Sequence, residues 1–173
     1  TIGAINSPES VERINGYIND AEAQGATILV DGRSPNVANA EEGFWVGPTI
    51  IDNVTPDMAL ARQEVFGPVL AIVRVKTLDE AIEIENANPY GNAAAIFTSN
   101  GATSRYAIER FNAGMCGVNV GVPVPREPFA FGGWNDSKFG HGDMTGVDGY
   151  RFWTRPRKIT TKWELQTDQT WMS

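Results

Sequence analysis

Cys116, His141 and Glu64 are the residues whose types first invite chemistry. Cys116 is the single cysteine and His141 the single histidine, and a thiol beside an imidazole could form a nucleophile–base pair. The local setting argues against it. Met115-Cys116-Gly117-Val118 reads as the start of a buried strand, where a free Cys packs as a small hydrophobe. His141 stands between Gly140 and Gly142 in an aperiodic stretch, and the chain lacks the partners that a zinc site needs. Cys116 is therefore expected to be non-catalytic, and no metal site is expected. Glu64 precedes Val65-Phe66-Gly67-Pro68, just before an apolar run. A carboxylate there could accept the hydroxyls of a sugar, or could equally be a solvated loop residue. No G-x-G-x-x-G follows a strand and opens a helix, and no G-x-x-x-x-G-K-[ST] occurs.

The elements that must position these residues alternate between helix and strand. Ser7-Pro8 reads as the N-cap and first position of a helix with Val11, Ile14, Ile18 and Ala21 on one face and Gly25 as its stop. Strands are expected at 26–30, 44–51 (interrupted by Pro48), 69–75, 93–98 and 117–120. Thr77-Leu78-Asp79-Glu80 has the form of a capping box, and its helix must end before Pro89. A further helix is expected at about 102–112, closed by Gly114. This order predicts an α/β fold built from βαβ units with a mostly parallel sheet. Residues 121–149 are rich in Gly, Pro and aromatics without periodicity, which predicts a functional loop such as a substrate wall or lid. Residues 157–163 read as a late strand with alternating Lys158, Thr160 and Lys162. Such a strand is either an exposed edge protected by lysines or one that pairs with another subunit.

Composition narrows the classes. A chain of 173 residues is expected to form one domain, or one and a half, rather than a multi-domain assembly, and a single Cys excludes an internal disulfide framework. The formal charge is −7, against nucleic acid or anionic membrane as the main partner. Residues 1–88 hold 5 Lys/Arg against 14 Asp/Glu, and residues 89–173 hold 9 against 7. No apolar run approaches the roughly 20 residues of a membrane helix, and the chain starts at Thr1 rather than Met.

Gln63-Glu64-Val65-Phe66-Gly67-Pro68-Val69 resembles the E-[IV]-F-G-P-V motif of the aldehyde dehydrogenase superfamily. Pro48-Thr49-Ile50, Asp79-Glu80-Ala81-Ile82, Asn88-Pro89-Tyr90-Gly91, Ile96-Phe97-Thr98, Val118-Asn119 and Phe131-Gly132-Gly133 fall in that family's order, so the resemblance covers essentially the whole chain. Residues 43–51 and 117–125 are similar to the CoA-acylating methylmalonate-semialdehyde dehydrogenase branch. Hydrolytic members have G-G-x-K-x-S-G-x-G-R-E after the Phe. Here Asn135 stands for that Lys, Lys138 for the first following Gly, and His141-Gly142 for Arg-Glu.

The resemblance implies an NAD-dependent oxidoreductase with CoA as co-substrate, acting on a small-molecule aldehyde of the (methyl)malonate-semialdehyde type. It implies that Glu64 binds the nicotinamide ribose hydroxyls, that Phe66 packs near the nicotinamide end, and that Phe131 and residues 121–129 face the aldehyde. The family's nucleophilic Cys precedes the part present here, so the chain is expected to be the C-terminal portion of a longer enzyme, inactive alone. Residues 1–150 would then be part of the catalytic domain, and 151–173 a tail with oligomerisation strand 157–163 in a homo-oligomer. A cytoplasmic location is expected, or the mitochondrial matrix in a eukaryote. Two alternatives stay open: a non-catalytic fragment that folds and self-associates, and a hydrolytic NAD(P)-dependent member of another branch.

Overall fold

The computed structural model describes residues 2–163 apart from 39 and 41. Ser7 is extended, and its Oγ accepts the Ser10 amide 3.2 Å away, while Pro8 takes the first helical position, where no amide is missed. The resulting helix α1 (Pro8–Ala23) buries Ile14, Ile18 and Ala21, as their spacing requires. Gly25 adopts φ 97°, a left-handed turn that a side chain would resist, and leads into β1 (Thr27–Val30).

β1 pairs antiparallel with β2 (Thr49–Asp52). A one-turn helix α2 (Ala59–Arg62) then connects to β3 (Val69–Ala71), which runs parallel to β2. Ile14 and Ile18 of α1 meet Ile51, Val46, Met58 and Leu60 in a single apolar cluster beneath this three-stranded sheet. α3 (Leu78–Asn86) follows, with Thr77 Oγ1 accepting the Glu80 amide at 3.1 Å. The reciprocal half of the capping box is displaced by one residue, since the Glu80 carboxylate takes the Lys76 amide at 2.8 Å instead of that of Thr77.

After the short β4 (Tyr90–Gly91), β5 (Ala93–Ile96) crosses through α4 (Gly101–Ile108) to the parallel β6 (Met115–Val118), a βαβ unit. Asn100 caps α4 by accepting the Ala102 and Thr103 amides. β7 (Trp134–Asn135) returns antiparallel to β4, and α5 (Gly146–Trp153) ends the regular structure.

The α/β class is as expected, but the sheet is not mostly parallel. Among the described residues two pairs are parallel and two antiparallel, in three small sheets. Apolar runs announce strands without stating their direction, which the connections decide. Residues 121–149 are also less irregular than expected. They hold β7 and the start of α5, elements too short or too Gly-rich to show a period. The late strand expected at 157–163 is not seen among the described residues. Residues 154–163 take no helical or strand conformation, and Ile159 and Trp163 are exposed. Residues 164–173 of the expected tail lie outside the described residues. No helix among the described residues is long and apolar enough to cross a membrane.

Candidate functional site

The chain leaves α2 at Gln63 in an extended conformation (φ −113°, ψ 144°) and reaches β3 six residues later. Two side chains of α1, four apart and hence on one face, hold this passage. Tyr17 donates its hydroxyl to Gln63 Oε1 at 2.5 Å, and Arg13 donates Nη1 to the Val65 carbonyl at 2.5 Å. Gly67 passes directly over Ile14, at a distance that excludes a Cβ. Glu64 lies between the two tied residues. It is exposed and makes no hydrogen bond or ion pair with another described residue.

Glu64 lines a cleft of about 740 Å³ together with Gln63, Glu85, Tyr90, Phe131 and Ser137. Phe131 arrives from the far side of the sequence. Its amide is held by Thr145 Oγ1 at 2.8 Å, and the following Gly132-Gly133 backbone is packed against Gly114. Ser137 Oγ accepts the Gly91 amide, joining the β7 turn to the strand that borders the cleft. The structure thus brings together two of the three residues singled out for binding. Phe66 is the exception: it sits at φ 53°, is 78% exposed, and does not line this cleft. Nor does any residue of 121–129.

Glu85 is the cleft residue that the sequence reading missed. Its Oε2 is shielded from solvent with no hydrogen-bond partner among the described residues, and burial pushes its carboxyl above the ordinary value. A signal was available, since Glu85 follows the buried Ile82 by three and so falls toward the packed side of α3.

Cys116 does not line the cleft. Along β6, Met115 and Gly117 are buried while Cys116 and Val118 face outward, so Cys116 is not the buried strand residue expected. Its neighbours are buried because side chains alternate across a strand. The Cys116 Sγ lies 3.6 Å from the Ala113 carbonyl, and partial burial, helped by the Glu85 charge, pushes the thiol up. A thiol so placed is poorly suited to act as a thiolate. His141 is exposed between Gly140 (φ 76°) and Gly142 (φ 72°). Among the described residues no group of three His, Cys, Asp or Glu could hold a metal.

Residues 1–159 match the aldehyde dehydrogenase family. The chain belongs to that family. It is 46% identical over 163 residues to malonate-semialdehyde dehydrogenase 2 of Bacillus thuringiensis (strain Al Hakam), covering 94% of this chain and 33% of the relative. It is 43% identical over 162 residues to malonate-semialdehyde dehydrogenase of Pseudomonas aeruginosa, with the same coverages. Among solved structures, methylmalonate-semialdehyde dehydrogenase from Oceanimonas doudoroffii superposes with a TM-score of 0.89 at 46% identity, covering 94% of this chain and 33% of that one. A Sinorhizobium meliloti 1021 protein assigned to the same enzyme class and complexed with NAD gives 0.88 at 41% identity, with the same coverages. This aldehyde dehydrogenase chain spans about a third of the length of the curated relatives it matches.

Proposed function

We propose that this chain is the part of an NAD-dependent, CoA-acylating semialdehyde dehydrogenase that grips the ribose of the cofactor and faces the aldehyde. The observation that supports it is the convergence of Glu64 and Phe131 on one cleft within a chain of this family. A carboxylate has two acceptor oxygens and no donor, which suits the two neighbouring hydroxyls of a ribose. Glu64 fits that task because it lines the cleft and its carboxylate spends neither oxygen on the described residues. Phe131 offers an apolar surface beside it for a small substrate.

When bound, NAD supplies the acceptor for the aldehyde hydride. Glu64 fixes the ribose so that the nicotinamide stays in register for that transfer. The nucleophilic thiol comes from a Cys outside this chain, so that the 173 residues alone are inactive, and the acyl group passes to CoA. The substrate is a malonate- or methylmalonate-semialdehyde, in keeping with the names of the relatives. Assembly into a homo-oligomer through residues 157–163 and a cytoplasmic location belong to the same reading. Phe66 near the nicotinamide also belongs to it, and at 78% exposure that ring is available to a neighbour outside this chain.

The deciding experiment is Glu64→Gln in the enzyme that carries this chain. NAD binding should weaken or hydride transfer slow by about tenfold, the cost of one charge-assisted hydrogen bond. Unaltered NAD dependence and rate would refute the role of Glu64. Product analysis separates the branches: acyl-CoA formed only when CoA is present supports acylation, and free acid without CoA supports hydrolysis.

A further inference from the structure

We propose that Arg13 and Tyr17 are positioning residues for Glu64, an inference that rests on the ribose-binding reading above. Glu64 leaves the end of α2 on a stretch with no ladder of its own, since β3 begins only at Val69. A carboxylate on such a passage would wander unless its backbone were held. The last turn of α2 holds the Gln63 amide through the Ala59 carbonyl at 2.9 Å, and the rest of the restraint comes from α1. Tyr17 holds Gln63 by its side-chain oxygen and Arg13 holds Val65 by its carbonyl, so the residue on each side of Glu64 is tied to the same helix face. Between them in the sequence of α1, Ile14 is fully buried and packs under Gly67, fixing the helix against the passage.

The arrangement leaves Glu64 as the untied residue of the three. Glu64 lines the cleft while its neighbours bear the restraint. Neither Arg13 nor Tyr17 lines the cleft, so neither is placed to touch a bound dinucleotide there. Both hydrogen bonds lie at the surface, and Tyr17→Phe removes only the hydroxyl while keeping the ring that packs against the core. Removing them should therefore cost aim at Glu64 more than it costs the fold. Fixing the group in advance lowers the ordering that binding must otherwise supply.

The test is a double-mutant cycle in the enzyme that carries this chain, read by calorimetric NAD affinity together with KM for the aldehyde and the thermal midpoint. Tyr17→Phe and Arg13→Met should each weaken NAD binding by about fivefold, the scale of one ordinary hydrogen bond. The aldehyde KM should stay unchanged, and Arg13→Lys, which keeps a donor, should restore most of the affinity lost in Arg13→Met. In a Glu64→Gln background the effect of Tyr17→Phe should vanish, because residues acting through one group are not additive. If the full fivefold loss persists there, Tyr17 does not act through Glu64 and the proposal is overturned. A fall in thermal midpoint with NAD affinity untouched would also overturn it, by making the pair merely structural. If Glu64→Gln itself leaves NAD binding intact, the ribose reading is the one that fails, and the pair is left with nothing to position.

Discussion

Ile14 occupies the space that a side chain on Gly67 would need. A Cβ built on Gly67 would lie 2.6 Å from Ile14 Cδ1 and 2.8 Å from Cγ1, and Ile14 has no exposed surface into which to move. Gly67→Ala should therefore destabilise the protein by about 2 kcal/mol, the usual cost of overpacking a filled core. Thermal unfolding of the enzyme carrying this chain, together with NAD affinity, checks it. Both should fall, because the same displacement lifts the Glu64 passage from α1.

Gly114 plays the corresponding part for Phe131. A Cβ there would meet the Gly132 carbonyl oxygen at 2.6 Å and Gly133 Cα at 2.9 Å, both backbone atoms. Gly114→Ala should push the 131–133 segment away from the start of β6. The expected result is a several-fold rise in KM for the aldehyde and a loss of about 1–3 kcal/mol in stability. Steady-state kinetics and unfolding on the same preparation measure the two effects.

Arg33 should give the protein a recognisable acid profile. Its Nε and Nη2 donate to the two oxygens of Asp31 at 2.9 and 2.6 Å, holding the carboxyl at about 2. Because the folded value is depressed, the stabilisation is fully present above the unfolded value of about 4 and is lost as the pH falls through about 2. Arg33→Met should lower the thermal midpoint near neutrality, and the gap from wild type should close progressively below about pH 4. Since both partners are partly exposed, high salt should narrow the gap as well. A gap that is constant with pH would assign the Arg33 effect to packing.

Cys116 should be dispensable. Its thiol is pushed up by partial burial and by the Glu85 charge, and it stands outside the cleft. Cys116→Ser in the enzyme carrying this chain should leave turnover within about twofold. A loss of several hundredfold would identify it as the nucleophile instead. Alkylation of this thiol near neutral pH should also be slower than that of a free cysteine.

Residues 154–163 are irregular in the described chain, and Ile159 and Trp163 are exposed at 78% and 89%. An isolated extended segment gains little in water, whereas one added to a sheet edge satisfies its amides and carbonyls. Ending the protein before Arg157 should therefore lower its oligomeric state in sedimentation. An unaltered state would remove the segment from the interface.

Much of the local structure was legible in the residues themselves. Ser7-Pro8 and Thr77 marked helix starts because caps are decided by side chains next to the amides they satisfy. Ile14, Ile18 and Ala21 marked a buried face because helical spacing alone aligns them. The motif around Glu64 and the glycines at 132–133 carried the family resemblance, and the family match agrees with it. Less legible were β7 and α5, whose two and eight residues lie in a Gly-rich stretch where no period can build up. Glu85 was overlooked although its spacing from Ile82 was in view.

By itself, then, the sequence determined the helix caps, the buried face of α1, the α/β class and the family, all of which depend on nearby residues or on ordered motifs. Strand direction, the cleft shared by Glu64 and Phe131, and the hold of Arg13 and Tyr17 on the residues flanking Glu64 were decided only by the tertiary structure. The reason is physical: each depends on groups far apart in the chain meeting across a packed core, and such meetings are set by the joint fit of all the elements rather than by local preference.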